Sequence, residues 1–271
     1  MDDAELLQAF DTQIRRVPDQ GPGFRVDLVD DPAPMLLVVP TEGAAWGGGV
    51  FWNALDESTA DAAIAAAVEV FRGTGQEWEW KYYAYDQPAD LTDRLRAAGF
   101  EPDDEEALVI GEVETVRARL ADAPAPAGVT IRHMRADAEG RAEDWQGIAD
   151  LHQAVWGEDP TKYVTGLAAA QAADPDGVST WVAVADDGTV VCAARVNFHR
   201  GTDFASMWGG STLEAYRGRG IYKALVSRRA DEAAERGFRF LQVDASPDSR
   251  PILERLGLRT LTSTTPWMWR P

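Results

Sequence analysis

The sequence predicts an α+β fold with mixed α/β sheets, divided into two domains. Residues 121–128, "ADAPAPAG", are small and proline-rich without periodicity, which is typical of a linker. After this linker, the apolar patterns follow the order strand, two helices, three strands, helix, strand, helix, strands. We therefore expect domains at residues 1–122 and 129–271, each with a central mixed sheet flanked by helices.

The first elements of the second domain follow from spacing and turn residues. "VTIRHMR" predicts an opening strand, and apolar residues at helical spacing from Trp145 to Val155 predict a helix. Asp159, as a cap, and Pro160, at the first helical position, predict the start of a second helix. An Asp187-Gly188 turn between two apolar runs then predicts a hairpin.

The remaining elements begin with a strand, "FASMWGGSTL", that contains two adjacent glycines. Gly209 and Gly210 indicate a bulge or the close approach of a ligand. The segment that follows enters a helix with an apolar stripe, and residues 238–246 predict another strand. A short helix around "SRPILERLG" and a final pair of strands ending in "PWMWRP" complete the domain.

The first domain contains a partial copy of this arrangement. Residues 82–100 align without gaps on residues 240–258, which brings Asp86 to Asp244 and Gly99 to Gly257. A predicted helix precedes each copy. The shared order of helix, strand, helix and glycine predicts a degenerate duplication.

Composition limits the classes of partner and the compartment. The formal net charge of -19 and pI near 4.5 disfavour nucleic acid and anionic membranes and favour cationic ligands, although a solvated surface is the preferred explanation of the charge. The start "MDDAELLQAF" does not have the order of a secretory signal, and no apolar run is long enough to cross a bilayer. The single cysteine, Cys192, suits a reducing compartment and a buried structural role. We expect a cytoplasmic protein without nucleic-acid or membrane partners, and its oligomeric state stays open.

Residues 216–229, "YRGRGIYKALVSRR", are strongly basic within this acidic chain. They hold five cations and no acid, with two glycines at the front. A glycine turn that leads into a helix gathers unpaired backbone N–H groups and the positive end of the helix dipole. Gly218 and Gly220 allow the backbone to approach a ligand closely. The segment therefore predicts a pyrophosphate site, although a Walker loop is absent and only half of a dinucleotide fingerprint is present.

The six residues from Arg217 to Tyr222 resemble the [RQ]-x-x-G-x-[GA] motif of the GNAT superfamily of acyl-CoA-dependent N-acyltransferases. "STLEAY" before the motif and "SPDSRPILERLGL" after it are similar to the flanking segments of that family. The element order of residues 129–271 agrees with it as well. The resemblance implies acetyl-CoA as the acyl-donor cosubstrate and no metal; the three histidines and one cysteine also lack metal-ligand spacing. The positions implied for binding acetyl-CoA are Ser211, Thr212 and Leu213 for the pantetheine arm, and Arg217, Gly218, Arg219, Gly220, Ile221, Tyr222 and Lys223 for the pyrophosphate.

The first domain departs from the family motif. It has no [RQ]-x-x-G-x-[GA], and its corresponding helix is entered through Asp56, Glu57 and Asp61, which would repel a pyrophosphate. This resembles tandem members of the superfamily in which one half has lost the cofactor.

Two positions in the second domain also depart from the family. Tyr222 stands where the family has Gly or Ala, and Leu253 stands where many members have a tyrosine that protonates the departing thiolate. Ser249 is a candidate donor to the sulfur, or a helix cap. Glu158 is a candidate general base, or a surface acid.

The acceptor side is less defined by the sequence. Trp156 and Tyr163 flank the loop where acceptors commonly bind in the family, and an aromatic wall beside an acid would suit a cationic amine. Core packing explains both residues equally. His133 and His152 are interpreted as structural, and His199 either faces the acceptor cleft or is exposed on a hairpin.

These interpretations lead to one leading function and two alternatives. The leading hypothesis is transfer of acetyl from acetyl-CoA to a primary amine of a small molecule or peptide by direct attack. A non-catalytic acyl-CoA-binding or sensing protein is the alternative that Leu253 favours. A transferase for an aminoacyl or longer acyl group on the same fold is the third.

Overall fold

The computed structural model of the chain describes residues 1–17, 23–42, 44, 46–134 and 141–271, apart from the side chain of residue 141. These residues form two compact units. The first comprises 1–109, 244–250 and 260–271, and the second comprises 110–243 and 251–259. All of the last strand except its first residue thus belongs to the first unit. The predicted domains at 1–122 and 129–271 divide the sequence differently and stay a prediction.

The first unit is built on a mixed sheet. Its strands β1 to β3 pair antiparallel in succession, β3 and β4 pair parallel, and β12 pairs antiparallel with β4 and β5. Large aromatic side chains, among them Trp78 and Trp80, fill its core. The elements that begin in this unit are α1 (Asp3–Phe10), a π-helical turn (Asp11–Arg15), β1 (Phe24–Val29), β2 (Met35–Pro40), β3 (Gly49–Asn53), α2 (Ala60–Arg72), β4 (Trp78–Tyr83), α3 (Leu91–Ala97), β5 (Glu101–Pro102) and β6 (Glu106–Glu112).

The second unit holds the predicted glycine loop. Its elements are α4 (Val113–Leu120), β7 (Val129–His133), α5 (Arg141–Trp156), α6 (Thr161–Ala173), β8 (Val178–Ala185), β9 (Val190–Phe198), β10 (Phe204–Thr212), a 3-10 turn (Glu214–Tyr216) and α7 (Ile221–Glu235). Three further elements have residues in both units: β11 (Phe240–Ala245), α8 (Arg250–Arg255) and β12 (Arg259–Trp269). The order from β7 to α8 is that expected from the sequence.

Helices cover both faces of the second sheet. Strands β7 to β10 pair antiparallel in succession, and β10 pairs parallel with β11. Apolar residues of α5 and α6 pack with Val182 and Val184 on one face. Ile221 and Leu225 of α7 pack with Ala183 and Cys192 on the other. Successive residues of β8 and β9 point to opposite faces, and both faces are packed with apolar residues. This is the pattern of strands that are buried on two sides.

Strand β10 is irregular where the two glycines occur. Its pairing with β9 shifts between Trp208 and Ser211, so that Gly209 and Gly210 form a bulge. Its parallel pairing with β11 covers only Phe204 to Ser206. The later half of β10 therefore leaves the ladder with β11, and the predicted bulge is confirmed.

Most predicted elements of the second unit are present, with two corrections. The predicted final pair of strands is wrong, because residues 259–269 form the single strand β12. Helix α4, which packs against α7 through an ion pair of 3.0 Å between Arg117 and Asp231, had been missed. Asp159 accepts a hydrogen bond from the N–H of Thr161 at 2.9 Å, as expected of a capping residue. Pro160 is the N-cap residue of α6 and not its first helical residue as predicted.

The duplicated segments correspond best at their helices. The alignment places α3 on α8, and Gly99 and Gly257 share a left-handed conformation, with φ of 94° and 97°. The preceding strands do not coincide, because β4 ends at Tyr83 whereas β11 runs to Ala245. Both units nevertheless contain a strand, a helix and a parallel strand in succession.

Among the described residues, no helix combines the length and apolar character needed to span a membrane.

Candidate functional site

The loop before α7 depends on two left-handed glycines. Gly218 and Gly220 have φ of 74° and 79°, a conformation that other residues adopt at a cost. A Cβ added at either position would meet nothing within 4 Å. The glycines are therefore required by the backbone conformation and not by crowding, and the space beside the loop is open.

The loop and the first turn of α7 present a continuous row of free amides. Among the described residues, none of the backbone N–H groups from Gly218 to Lys223 donates to a carbonyl, and α7 has no side-chain cap. The first turn of α7 also lacks an acidic residue. Unpaired amides at a helix N-terminus, together with the helix dipole, favour an anion. The row has the chemistry of a phosphate-binding site.

The arginines of the loop contact the protein as well as solvent. Arg217 donates from Nε to the carbonyl of Thr212 at 3.2 Å. The guanidinium of Arg219 lies 4.8 Å from the ring centre of Tyr216. Both side chains are on exposed residues, so they brace the loop while adding positive charge at its surface.

Tyr222 directs its side chain away from the row of amides. A Cβ at Gly210 would lie 2.8 Å from a ring carbon of Tyr222, so the ring packs against the bulge. Burial raises the pKa of its hydroxyl. The phenol at this position is compatible with a free N–H at the start of α7.

Arg229, another cation of the basic segment, is fully buried. It donates from Nε to the carbonyl of Leu225 at 3.1 Å and from Nη1 to that of Arg195 at 3.2 Å. Desolvation lowers its pKa, and the nearby Tyr222 side chain partly opposes this effect. Arg229 therefore holds α7 against β9 and is not available to a ligand in solvent.

The residues predicted for the pantetheine arm lie at the end of β10. Ser211 is paired with Ala193, and the N–H of Leu213 donates to Val191 at 2.9 Å. The hydroxyl of Thr212 lies 3.1 Å from the Cys192 sulfur. Burial raises the pKa of Cys192 to about 11, as expected of a structural thiol.

A groove adjoins Leu213 on the α5 side of the sheet. Its volume is about 750 Å³, and it lies between α5 and the turn that joins β8 to β9. Glu143, Asp150 and Asp187 line it. The groove is separate from the Gly218–Gly220 loop, whose residues do not line it.

Two predicted acceptor residues meet the bulge of β10. Trp156 donates from its indole N–H to the hydroxyl of Ser211 at 3.1 Å, although more than half of its surface is exposed. The hydroxyl of Tyr163 would lie 2.6 Å from a Cβ at Gly209. His152 stacks on Tyr163, with ring centres 4.7 Å apart. Trp156 and Tyr163 thus contact one short stretch of β10, from Gly209 to Ser211.

The sequence had not indicated Arg195 and Trp208 as site residues. They are cross-strand partners, and the Arg195 guanidinium lies 5.6 Å from the Trp208 ring centre and 6.0 Å from that of Tyr163. One signal in the sequence could have indicated Arg195. The apolar strand "VVCAARVNF" contains two polar residues, Arg195 and Asn197, which are two positions apart and therefore lie on the same face.

The candidate acid, Ser249, and the candidate base, Glu158, have no contact with Trp156, Tyr163 or Arg195 among the described residues. Glu158 is exposed in the turn between α5 and α6, with no hydrogen bond or ion pair to a described residue. Ser249 belongs to the first unit and contacts Ser246, with their hydroxyl oxygens 3.2 Å apart. Leu253 is fully buried. The described residues contain no group of three His, Cys, Asp or Glu side chains arranged for a metal.

Two of the three histidines, His133 and His199, take part in hydrogen-bonded chains. Nε2 of His199 lies 2.6 Å from the hydroxyl of Ser206, which donates to Gln242 at 2.7 Å. Nε2 of His133 lies 2.6 Å from the hydroxyl of Ser179. Ser206, Gln242 and Ser179 are buried, which is consistent with structural roles for both chains.

The helix of the first unit that corresponds to α7 begins differently. At the start of α2, the Asp56 carboxylate accepts hydrogen bonds from the backbone N–H groups of Ser58 and Thr59, each at 2.9 Å. The same oxygen also accepts from both hydroxyls. A carboxylate of the protein therefore accepts from two of the amides, just before α2, that a phosphate would need.

Comparisons with known proteins agree with this geometry. Residues 145–258 match the model of the acetyltransferase (GNAT) family. A search of the curated proteins gave no match. Among solved structures, a GCN5-related N-acetyltransferase from Kribbella flavida is 17% identical, with a TM-score of 0.63 over 98% of this chain and 95% of that one.

Two further structures extend the likeness along the whole chain. A tandem GNAT protein from the clavulanic acid biosynthesis pathway is 17% identical, with a TM-score of 0.58 over 92% of this chain and 84% of that one. A GCN5-related N-acetyltransferase-like protein from Streptococcus suis is 16% identical, with a TM-score of 0.57 over 99% and 100%. The chain therefore has the fold of a tandem GNAT protein, and its residues 145–258 match the GNAT family model.

Proposed function

We propose that this protein is an acyl-CoA-dependent N-acyltransferase that transfers acetyl from acetyl-CoA to a primary amine. The observation that supports this best is the row of unpaired amides from Gly218 to Lys223, at the position of the family's cofactor motif. The family model over residues 145–258 supports acyl transfer in general. Acetyl as the donor group and an amine as the acceptor are the specific parts of the proposal.

The residues at the start of α7 suit the pyrophosphate of CoA. Each phosphate oxygen needs donors, and the loop supplies amides that the protein does not use itself. Arg219 and Lys223 are exposed beside these amides and would add positive charge. The splayed end of β10, after Ser206, offers an unpaired strand edge for the pantetheine arm.

The thioester supplies an activated acyl group, and the protein has to position the amine beside it. The amine nitrogen attacks the thioester carbon, the carbon–sulfur bond breaks, and the nitrogen loses a proton while the sulfur gains one. Trp156 and Tyr163, which surround the bulge, would orient the amine. We assign Glu158 as the candidate base and Ser249 as the candidate donor to the sulfur.

The net charge of -19 favours an amine that is cationic before it reacts. We propose a small molecule or peptide amine as the partner, in the cytoplasm, and no nucleic acid or membrane.

A second candidate function is acyl-CoA binding without turnover. Leu253 occupies the position of the family's acid, and it is fully buried and apolar, so it cannot donate a proton to the thiolate. A sensor would keep the amide row and need no proton donor.

Two measurements on the full chain test these functions. Calorimetry with acetyl-CoA should give saturable binding, and its absence at high micromolar ligand would contradict both candidates. Release of free CoA thiol from acetyl-CoA should accelerate with at least one member of a broad panel of primary amines. Binding without any acceleration would favour the sensor over the transferase.

A further inference from the structure

Arg195 is a charged residue in an unusual place. It lies in the middle of β9, is half-buried, and has no ion-pair partner among the described residues, although the chain carries 45 acidic residues against 26 basic ones. Its neighbour on the same strand two residues earlier, Ala193, is buried in the apolar core. A partly desolvated guanidinium without a carboxylate is costly unless another group satisfies it.

Aromatic rings hold this guanidinium without neutralising it. The ring centres of Trp208 and Tyr163 lie 5.6 Å and 6.0 Å from the Arg195 carbon that joins its nitrogens. Contacts of this kind restrict the side chain while leaving its N–H groups free to donate. The exposed fraction of Trp208 is 37%, so the frame is open to solvent on that side.

A second polar group on the same face also lacks a partner. Thr180 is the cross-strand neighbour of Arg195 on β8, so their side chains share one face of the sheet. Thr180 is 1% exposed, and its hydroxyl has no hydrogen-bond partner among the described residues. Native proteins seldom leave such a hydroxyl unpaired, and a hydroxyl can donate to an anion.

The position of these groups connects them with the acyl-transfer site. Arg195 is directly opposite Trp208, the residue that precedes the Gly209–Gly210 bulge. Tyr163, which frames Arg195, also approaches Gly209. An anion held by Arg195 would therefore belong to the molecule that reacts beside the bulge.

We propose that Arg195, framed by Trp208 and Tyr163 and assisted by Thr180, binds a carboxylate of the substrate. This inference rests on the proposed acyl transfer and narrows its substrate class. A guanidinium donates two parallel hydrogen bonds to a carboxylate. The carboxylate is carried either by the acceptor, which is then an amino acid or acidic peptide, or by the acyl chain of the donor. An acceptor of this kind carries a positive charge on its amine, which the acidic surface favours, and a negative charge on its carboxylate, which Arg195 would bind.

The test compares pairs of substrates in which one member carries a carboxylate and the other does not. In the acceptor arm, acetyl-CoA is the donor, and rates with glycine, 4-aminobutyrate and lysine are compared with rates for the compounds whose carboxyl group is replaced by an amide. In the donor arm, these neutral amides are the acceptors, and rates with succinyl-CoA are compared with rates with acetyl-CoA. Hydrogen bonds to charged groups predict that the wild-type protein prefers the acidic member by about 10- to 100-fold in kcat/KM in one arm.

Variants separate recognition from folding. Arg195→Met should abolish the preference between the acidic and the neutral member, mainly through a higher KM for the acidic member. Arg195→Lys keeps the charge and should retain part of the preference. Arg119→Met, which removes an exposed arginine of α4, is the matched control and should behave as wild type.

Calorimetry keeps this inference distinct from the proposed function. The acceptor acids are titrated into protein saturated with CoA, and succinyl-CoA and acetyl-CoA into protein without CoA. In one of these titrations the acidic member should bind more tightly than its neutral counterpart, and this difference should be lost in Arg195→Met, whether or not any amine is acylated. Absence of turnover with such binding intact would contradict the transferase and leave the carboxylate site supported. Equal binding and rates for acidic and neutral members in both arms, or a preference that survives in Arg195→Met, would overturn the inference.

Discussion

At the scale of single residues, the two ends of α7 provide a matched pair. Gly220 precedes the helix with φ of 79°, and Gly237 follows it with φ of 82°. A Cβ at either position would have no atom within 4 Å. The two glycines therefore have the same conformational requirement, and only Gly220 belongs to the row of free amides.

Replacing these glycines by alanine should separate stability from binding. Each of Gly220→Ala and Gly237→Ala places an alanine in the left-handed region, which costs about 1 kcal/mol in the free energy of unfolding. Only Gly220→Ala should also weaken acetyl-CoA, because relaxation of its φ turns amides away from the phosphates. Urea denaturation gives the stability and calorimetry gives the affinity.

The two variants serve as controls for each other. If Gly237→Ala weakened acetyl-CoA as much as Gly220→Ala, the effect would come from general destabilisation. If neither changed the affinity, the amide row would not be the phosphate site.

At the scale of elements, the starts of α2 and α7 are opposite solutions to the same problem. The first amides of any helix lack partners within that helix. In α2, Asp56 supplies an internal anion, whereas in α7 the amides are left without an acceptor. The Asp56 carboxylate thus takes up amides just before α2, whereas the corresponding amides before α7 suit an external anion.

Removing the Asp56 carboxylate should destabilise the first unit in a pH-dependent way. Hydrogen bonds from the side chains and backbone of Ser58 and Thr59 lower the pKa of Asp56 below its ordinary 3.8. Since the pKa is lower in the folded than in the unfolded chain, the stabilisation is present above pH 3.8 and is lost as pH falls through the folded pKa. Asp56→Ala should therefore lower the urea midpoint at pH 7 and have a progressively smaller effect below pH 3.8.

Affinity for acetyl-CoA serves as the second readout for this variant. It should not change in Asp56→Ala, because the carboxylate is not part of the α7 row. A midpoint difference that is the same at pH 7 and at pH 3 would show that the ionised form is not the stabilising one.

The elements themselves were largely predictable from the sequence, for reasons visible in particular residues. Apolar spacing identified α5 and α6, and Asp187 with Gly188 identified the turn between β8 and β9. Helix α4 was missed because it follows β6 without an intervening turn residue. The last strand was predicted as a pair, but Pro266 lies within one ladder opposite Lys81, so it does not end the strand.

The candidate site was less predictable, because it depends on strand register. The glycine loop is contiguous in the sequence and could be read directly. Arg195 and Trp208 are thirteen positions apart, and only the register of β9 with β10 makes them neighbours. Thr180 comes from a third strand. Local patterns contain no information about which residues of different strands face one another.

At the scale of the whole molecule, the duplication does not imply two cofactor sites. Both units contain a strand, a helix and a parallel strand in succession, and this repeats the topology without repeating the chemistry. Free amides occur at the start of α7, and a carboxylate fills the start of α2. The acidic surface, with a net charge of -19, also disfavours any further anion that lacks such a local arrangement.

Calorimetry on the full chain should therefore give one acetyl-CoA per chain. Gly220→Asp should abolish that binding, because it would place a carboxylate at the N-cap of α7, beside the amide row, and aspartate tolerates the left-handed conformation better than most residues. Circular dichroism should show an unchanged helix content in this variant. Two sites per chain, or binding that persists in Gly220→Asp, would mean that the first unit also binds the cofactor and that a filled helix start does not exclude it.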